Sequence, residues 1–232
     1  MISGAGTGIG RALATTFALG GYEVVALGRT GKNLRSVQKE IERNGGSCLV
    51  MACDVRRDRD VRNVTRRLSA RGVVPDILVN NAGVTRFKSF RETSVKEFDD
   101  ILDTNLRGQF LLTKASLPGM IRRRRGVVVN VLSMAAKTVY TGSSVYSASK
   151  AAGAALMNVV REEVRDKGIH VVNVYPGAVE TPMWSQVHRR RFARRMMQPE
   201  EIAGLIFEAA TAGPRTMVEE LVIRPLQGDL KV

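Results

Sequence analysis

Six short runs of apolar, largely β-branched residues recur along the chain: Val24 to Leu27, Leu49 to Ala52, Ile77 to Val79, Val127 to Val131, Val171 to Val174 and Val218 to Ile223. Most are continuous instead of alternating, which is the pattern of strands covered on both faces. Between them lie stretches of helical length: Ile9 to Leu19, Lys32 to Arg43, Asp58 to Arg71, Asn105 to Ile121, Tyr146 to Asp166 and Pro199 to Thr211. Pro199 suits a first helical position, and Glu200 and Glu201 bring negative charge to the first turn. Regular strand–helix alternation predicts an α/β fold, a doubly wound and mostly parallel sheet with helices on both faces. No linker or composition break divides the chain, so residues 1–232 are expected to form a single domain. One element is short. A doubly wound domain needs a central strand ahead of its first turn, and only Met1 and Ile2 precede Ser3 and Gly4. A shortened first strand removes apolar burial from the sheet centre and predicts a marginally stable protein.

Composition narrows the class. With 232 residues, 44% hydrophobic and 25% charged, the chain is too apolar to be intrinsically disordered. No run approaches the roughly 18 apolar residues that span a bilayer, so no membrane partner is expected. No basic start followed by an apolar core is visible, so no secretory leader is expected. Cys48 and Cys53 cannot form a disulfide framework and read as reduced thiols of a cytoplasmic protein. The formal net charge is +14, concentrated at Arg122 to Arg125 and at Arg189, Arg190, Arg191, Arg194 and Arg195. Such clusters suit nucleic-acid phosphates, a solvated surface or an anionic substrate. Aromatic residues make up only 5% and few lie between the cations. A single-strand binder wants stacking rings there, so the solvated surface is favoured over nucleic acid.

Candidate chemistry begins at the glycine turn. Gly4, Gly6, Gly8 and Gly10, with Thr7 and Ile9, lead straight into Arg11-Ala12-Leu13. Glycines at this spacing permit positive φ and let backbone N–H groups approach a pyrophosphate, while the following helix points its positive end at the same anion. The turn stands ahead of the strand at Val24 to Leu27, the position of a phosphate-binding turn in a first βαβ unit. That strand ends at Leu27-Gly28-Arg29. An acidic residue there serves the ribose hydroxyls of NAD(H), whereas an arginine suits a 2′-phosphate, so NADP(H) is favoured with NAD(H) possible.

Tyr146-Ser147-Ala148-Ser149-Lys150 supplies a second pattern. On a helix the i, i+4 spacing sets Tyr146 and Lys150 on one face. A cation beside a phenol favours the phenolate and moves a weak acid toward proton transfer near neutrality. Ser133 closes the Val127 to Val131 strand, where such sheets form ligand sites, and its hydroxyl suits a carbonyl oxygen.

With these motifs in order, the chain resembles the short-chain dehydrogenases/reductases, over nearly its whole length. Beyond the glycine turn, Asp54 with Val55 resembles that family's aspartate near the adenine ring. Asn80-Asn81-Ala82-Gly83 is similar to its N-N-A-G, Asn105 to its catalytic asparagine, and Ser133, thirteen residues before Tyr146, to its serine. Pro176, Gly177, Val179 and Thr181 match its P-G-x-x-x-T, which contacts the nicotinamide end. Three features depart from the family: the short first strand, Met134 after Ser133, and an ending through Glu220 to Pro225 without the glycine-rich close of many members.

The resemblance implies a Rossmann fold and hydride transfer between the nicotinamide and a carbonyl or secondary alcohol. Tyr146 would serve as general acid/base, Ser133 would orient the oxygen, and Lys150 would lower the phenol and hold the nicotinamide ribose. Asn105 would hold a water linking Lys150 to solvent. It also implies a mobile lid over about 182–198, here carrying Met183, Trp184 and His188, and assembly as a homotetramer or homodimer. His188 has no cysteine or acidic pair at ligand spacing, so no metal site is expected. Two alternatives stay open: an NADP-binding regulatory protein without turnover, and a 3-oxoacyl-thioester reductase drawing an anionic carrier to the lid arginines.

Overall fold

The computed structural model describes residues 1–213 and 215–230. The elements are β1 (Ile2–Ser3), α1 (Gly8–Leu19), β2 (Val24–Gly28), α2 (Gly31–Arg43), β3 (Cys48–Ala52), α3 (Asp58–Ser69) and β4 (Ile77–Asn80). They continue as α4 (Val95–Leu102), α5 (Gly108–Arg123), β5 (Gly126–Val131), α6 (Ser144–Val164), β6 (Ile169–Pro176), α7 (Gln186–Phe192), α8 (Pro199–Ala210) and β7 (Glu220–Ile223). Seven strands form one parallel sheet in the order β3-β2-β1-β4-β5-β6-β7. This is the doubly wound Rossmann arrangement. The chain reverses its winding between β1 and β4, which opens a crevice above their carboxyl ends.

Two apolar layers flank the sheet. On one side Leu13 and Phe17 of α1, Val37 and Ile41 of α2 and Ile206 of α8 cover Ala26, Val129 and Val172. On the other, Leu68 of α3, Leu112 and Met120 of α5 and Met157 of α6 cover Leu27, Leu78 and Val128. Burial on both faces explains the unbroken apolar runs.

The first strand is as short as the sequence suggested. Ile2 pairs with Ala26 on one side and Val79 on the other. What the strand lacks in length is partly offset by Ser3. Its buried hydroxyl donates to the Val79 carbonyl at 3.3 Å and accepts from the N–H groups of Asn81 and Ala82, each at 3.0 Å. Asn81 Nδ2 returns to the carbonyl of Ser3 at 2.9 Å. The end of β4 and the loop after it are thereby tied to a two-residue strand.

Several boundaries move from expectation. The stretch expected as helix from Asn105 starts as a π turn over Asp103–Arg107, and α5 proper begins at Gly108. The last strand opens at Glu220 instead of Val218, where pairing with Asn173 begins. Helix α4 went unpredicted although Ser94 and Glu97 form a full capping box at its start. A line of buried asparagines crosses the sheet. Asn80 donates to Asn130 Oδ1 at 3.0 Å, Asn130 to Asn173 Oδ1 at 2.9 Å, and Asn173 to Asn158 Oδ1 on α6 at 2.9 Å. In-register pairing of Asn80 with Asn130 and of Asn130 with Asn173 makes the chain of amides possible.

Candidate active site

The crevice at the winding reversal holds a cavity of about 440 Å³. The glycine turn forms one wall, with Gly4, Gly6, Thr7, Gly8 and Ile9. Gly4 and Gly8 sit at φ +66° and +52°, backbone that favours glycine. Gly10 stands beneath the wall, not in it. A Cβ there would lie 2.3 Å from the Gly4 carbonyl oxygen, so the helix enters this close only with glycine. Thr7 at the N-cap of α1 makes no side-chain cap bond, and no acidic residue occupies the first turn. The N–H groups of that turn are left for an anion.

Arg29, exposed at the end of β2, and Asp54 with Val55 after β3 line the far end. Asp54 is gripped by Arg56, whose Nη2 lies 2.8 Å from Oδ2, and this hydrogen bond holds the carboxyl below its usual value. Arg29 forms no ion pair among the described residues. Asn81, Ala82 and Gly83 supply the floor, and Pro176, Gly177, Val179 and Thr181 the opposite rim. The Thr181 side chain packs on the glycine turn, since a Cβ on Gly8 would come within 3.0 Å of its methyl.

Ser133, Tyr146 and Lys150 line the same cavity. Ser133 caps the turn after β5, its Oγ accepting from the Ala135 N–H at 3.1 Å. Tyr146 and Lys150 stand one turn apart on α6, with Nζ 5.8 Å from the ring centre. Nζ donates to the Val131 carbonyl at 2.7 Å. Burial lowers the lysine to about 8. The sequence expectation of a lowered phenol is reversed here. Desolvation raises Tyr146, and the neighbouring Ser133 hydroxyl opposes this without overcoming it. The ammonium is committed to a carbonyl and does not hydrogen-bond the phenol oxygen.

Asn105 lies behind the cavity, where Oδ1 accepts from the Val84 N–H at 2.8 Å and Nδ2 donates to the Val84 carbonyl at 2.9 Å and Ser149 Oγ at 3.0 Å. It shares a void of about 10 Å³ with Lys150. The side chain braces the loop after Gly83 against α6. A Cβ on Gly83 would be 3.4 Å from both Asn105 Oδ1 and Lys150 Nζ, so all three meet at one point.

A side chamber of about 100 Å³ shares Ser133 and Tyr146 with the larger cavity. Met134, Ala135, Tyr140, Ala178, Met183 and Trp184 line it. Val179 faces the larger cavity. Phe87 and Asp229 were missed because neither belongs to a motif. Phe87 stacks on Trp184 with centroids 5.2 Å apart, joining two lips of the mouth. Asp229 pairs with Arg224. The segment expected as a lid contains α7, capped by Ser185, whose Oγ accepts from the His188 N–H at 3.2 Å. His188 packs against Trp184 and Phe192. Both ends of the lid meet in a bridge: Glu180 N–H donates to Met197 at 2.9 Å and Met197 N–H to Ala178 at 3.0 Å.

The cavity fits a dinucleotide on its own features. It has glycines where a Cβ would intrude, an uncapped helix start and a free guanidinium. It also has one orphaned polar atom, the buried Thr85 Oγ1, which finds no partner among the described residues.

Comparison with known proteins agrees. The family model described as short chain dehydrogenase matches residues 1–191. A sepiapterin reductase of Chlorobaculum tepidum is 36% identical over 238 aligned positions, covering all of this chain and 97% of that protein. A metagenomic short-chain oxidoreductase solved in complex with NADP has a TM-score of 0.85 at 31% identity, covering 97% of this chain and 95% of its own. The closed form of serine dehydrogenase complexed with NADP+ has a TM-score of 0.91 at 26% identity, covering 100% and 96%.

Proposed function

This chain belongs to the short-chain dehydrogenase family, and on that premise we propose that it is an NADP(H)-dependent oxidoreductase reducing a carbonyl to a secondary alcohol, or the reverse. The observation that carries the reading is the convergence of Ser133, Tyr146 and Lys150 on the cavity that the glycine turn opens, with Ser133 and Tyr146 shared with the side chamber. A nicotinamide cofactor bound along the larger cavity supplies or accepts the hydride. Gly4 to Ile9 and the start of α1 hold its pyrophosphate, and Asp54 and Val55 flank the adenine end. Asn81 to Gly83, Pro176, Gly177, Val179 and Thr181 embrace the other end.

Arg29 supports NADP(H) over NAD(H). Thr30 and Asn33 line the cavity beside it, and α2 begins there with no acidic residue in its first turn. The three together suit a phosphate on the ribose. In reduction, the Ser133 hydroxyl donates to the substrate oxygen and orients it. The Tyr146 phenol, kept protonated by burial, gives its proton to that oxygen as negative charge develops. Lys150 holds the ribose and places a positive charge within reach of the phenolate left behind. Asn105 keeps Gly83 and α6 in register.

A specific substrate reading rests on the chamber. Its lips are the stacked Phe87 and Trp184, and Asp229 is the sole carboxylate among its lining residues. Flat rings bearing N–H donors suit such walls, and the relative at 36% identity acts, by its name, on sepiapterin, a pterin with a side-chain ketone. A pterin ketone is the first substrate to try.

We place the protein in the cytoplasm as a homo-oligomer. Among the described residues no helix is long and apolar enough to cross a membrane. Phe110 on α5 and Val159 on α6 remain exposed at 42% and 59%, which supports contact between copies. The deciding experiment follows nicotinamide absorbance with NADPH and NADH against sepiapterin, simple ketones, diketones and β-ketoacyl thioesters. Turnover with NADPH that Tyr146→Phe abolishes supports the reading. Tight NADPH binding with no turnover on any of them would favour a regulatory role instead.

A further inference from the structure

Another cavity, about 870 Å³, shares no lining residue with the active site. It is a groove between α3 and α5, closed at one end by the turn at Val73 to Pro75. Leu68, Val74, Ala115 and Pro118 give it an apolar floor. Above the floor stand Arg59, Arg62 and Arg66 from α3 and Arg122 from α5, against Asp60 as the sole carboxylate in the lining. Arg62 is paired with Asp58 at 2.6 Å, while Arg122 has no ion-pair partner among the described residues.

An apolar floor and a cationic rim define a ligand that is apolar over most of its length and anionic at one end.

We propose that the α3–α5 groove is a second binding site, for an amphiphilic organic anion with an alkyl or ring body and a phosphate, sulfate or carboxylate head. The body lies along Leu68, Val74, Ala115 and Pro118. The head meets Arg66 and Arg122.

The test is calorimetric titration of the full chain, saturated with NADPH, with dodecyl phosphate below its micelle concentration. Inorganic phosphate and dodecanol are titrated alongside. The expected result is one site at which dodecyl phosphate binds at least about ten-fold tighter than either control. The same titration on Arg66→Glu/Arg122→Glu should show at least about ten-fold weakening, with NADPH affinity unchanged. Arg122→Glu alone serves if the double variant melts early. No binding by dodecyl phosphate, equal binding by dodecanol, or equal binding by the charge-reversed variants overturns the proposal. Equally tight binding of phosphate alone also overturns it, since the floor would then contribute nothing.

Discussion

The Lys150 ammonium lies 5.8 Å from the centre of the Tyr146 ring, yet its hydrogen bond runs to the Val131 carbonyl, 2.7 Å away. The pair is adjacent without being bonded. Burial therefore acts on each group separately, raising the phenol and lowering the ammonium, so that each is biased toward its neutral form. A neutral phenol is a proton donor waiting for a base, which is the state reduction requires.

Removing that donor gives the first prediction. Tyr146→Phe keeps the ring and loses the hydroxyl, so carbonyl reduction should fall on the order of 10²–10⁴-fold. NADPH affinity, measured by fluorescence titration, should stay within about three-fold. A variant with half the parent turnover would remove Tyr146 from the chemistry.

Lys150 makes a prediction about pH. Its value falls from 10.5 in the unfolded chain to about 8 in the folded one. Below about pH 8 both states hold the proton, and the cost of burying the charge is carried in full. From there up to 10.5 the folded chain has lost a proton that the unfolded chain keeps, so this group's contribution to stability rises with pH. Lys150→Met should therefore raise the thermal midpoint near neutral pH, and the advantage should shrink as the pH is raised toward 10.5. Its ceiling is about 3 kcal/mol. From this about 1 kcal/mol is lost with the Val131 hydrogen bond. A difference independent of pH, read by calorimetry, would mean that the burial cost is absent.

Arg29 governs cofactor choice. Reversing its charge with Arg29→Asp should raise the NADPH KM by about ten- to a hundred-fold, the range of one or two charged hydrogen bonds. The NADH KM should hold or fall. Parallel Michaelis curves with both cofactors check this, and an unchanged ratio would assign the 2′-phosphate to other groups.

Ser3 carries the last prediction. Ser3→Ala leaves the Asn81 and Ala82 N–H groups without their partner, at a cost of about 1–3 kcal/mol. The variant's thermal midpoint should lie several degrees below the parent's. An unchanged midpoint would mean that these two N–H groups find other partners.

Much of this was readable from residues alone because the physics is local. Continuous runs such as Val127 to Val131 mark strands buried on both faces, and Gly4 to Gly10 can hardly be anything but a tight approach. Tyr146 and Lys150 announce themselves by helical spacing. What stayed hidden depends on distant partners. Ser3 matters through loops 78 and 79 residues away. Asn105 was marked by its motif, but its brace to Val84 and Ser149 runs across 21 and 44 residues. Phe87 and Asp229 reach the chamber from unpatterned loops, and α7 is too short to leave a periodic trace. Helix α4 was there to be found in the Ser94–Glu97 capping box, a signal that composition drowned.

The bridge that joins Ala178 and Glu180 to Met197 also makes the lid a detachable piece of design. Its two ends are fastened to each other before the chain re-enters the body of the protein at α8. Insertions or wholesale replacement between Thr181 and Met196 would leave the anchor pair, the sheet and the dinucleotide cavity's glycine wall where they are. Substrate preference can thus drift, or be rewritten by grafting, at a cost in folding confined to one closed excursion of the chain.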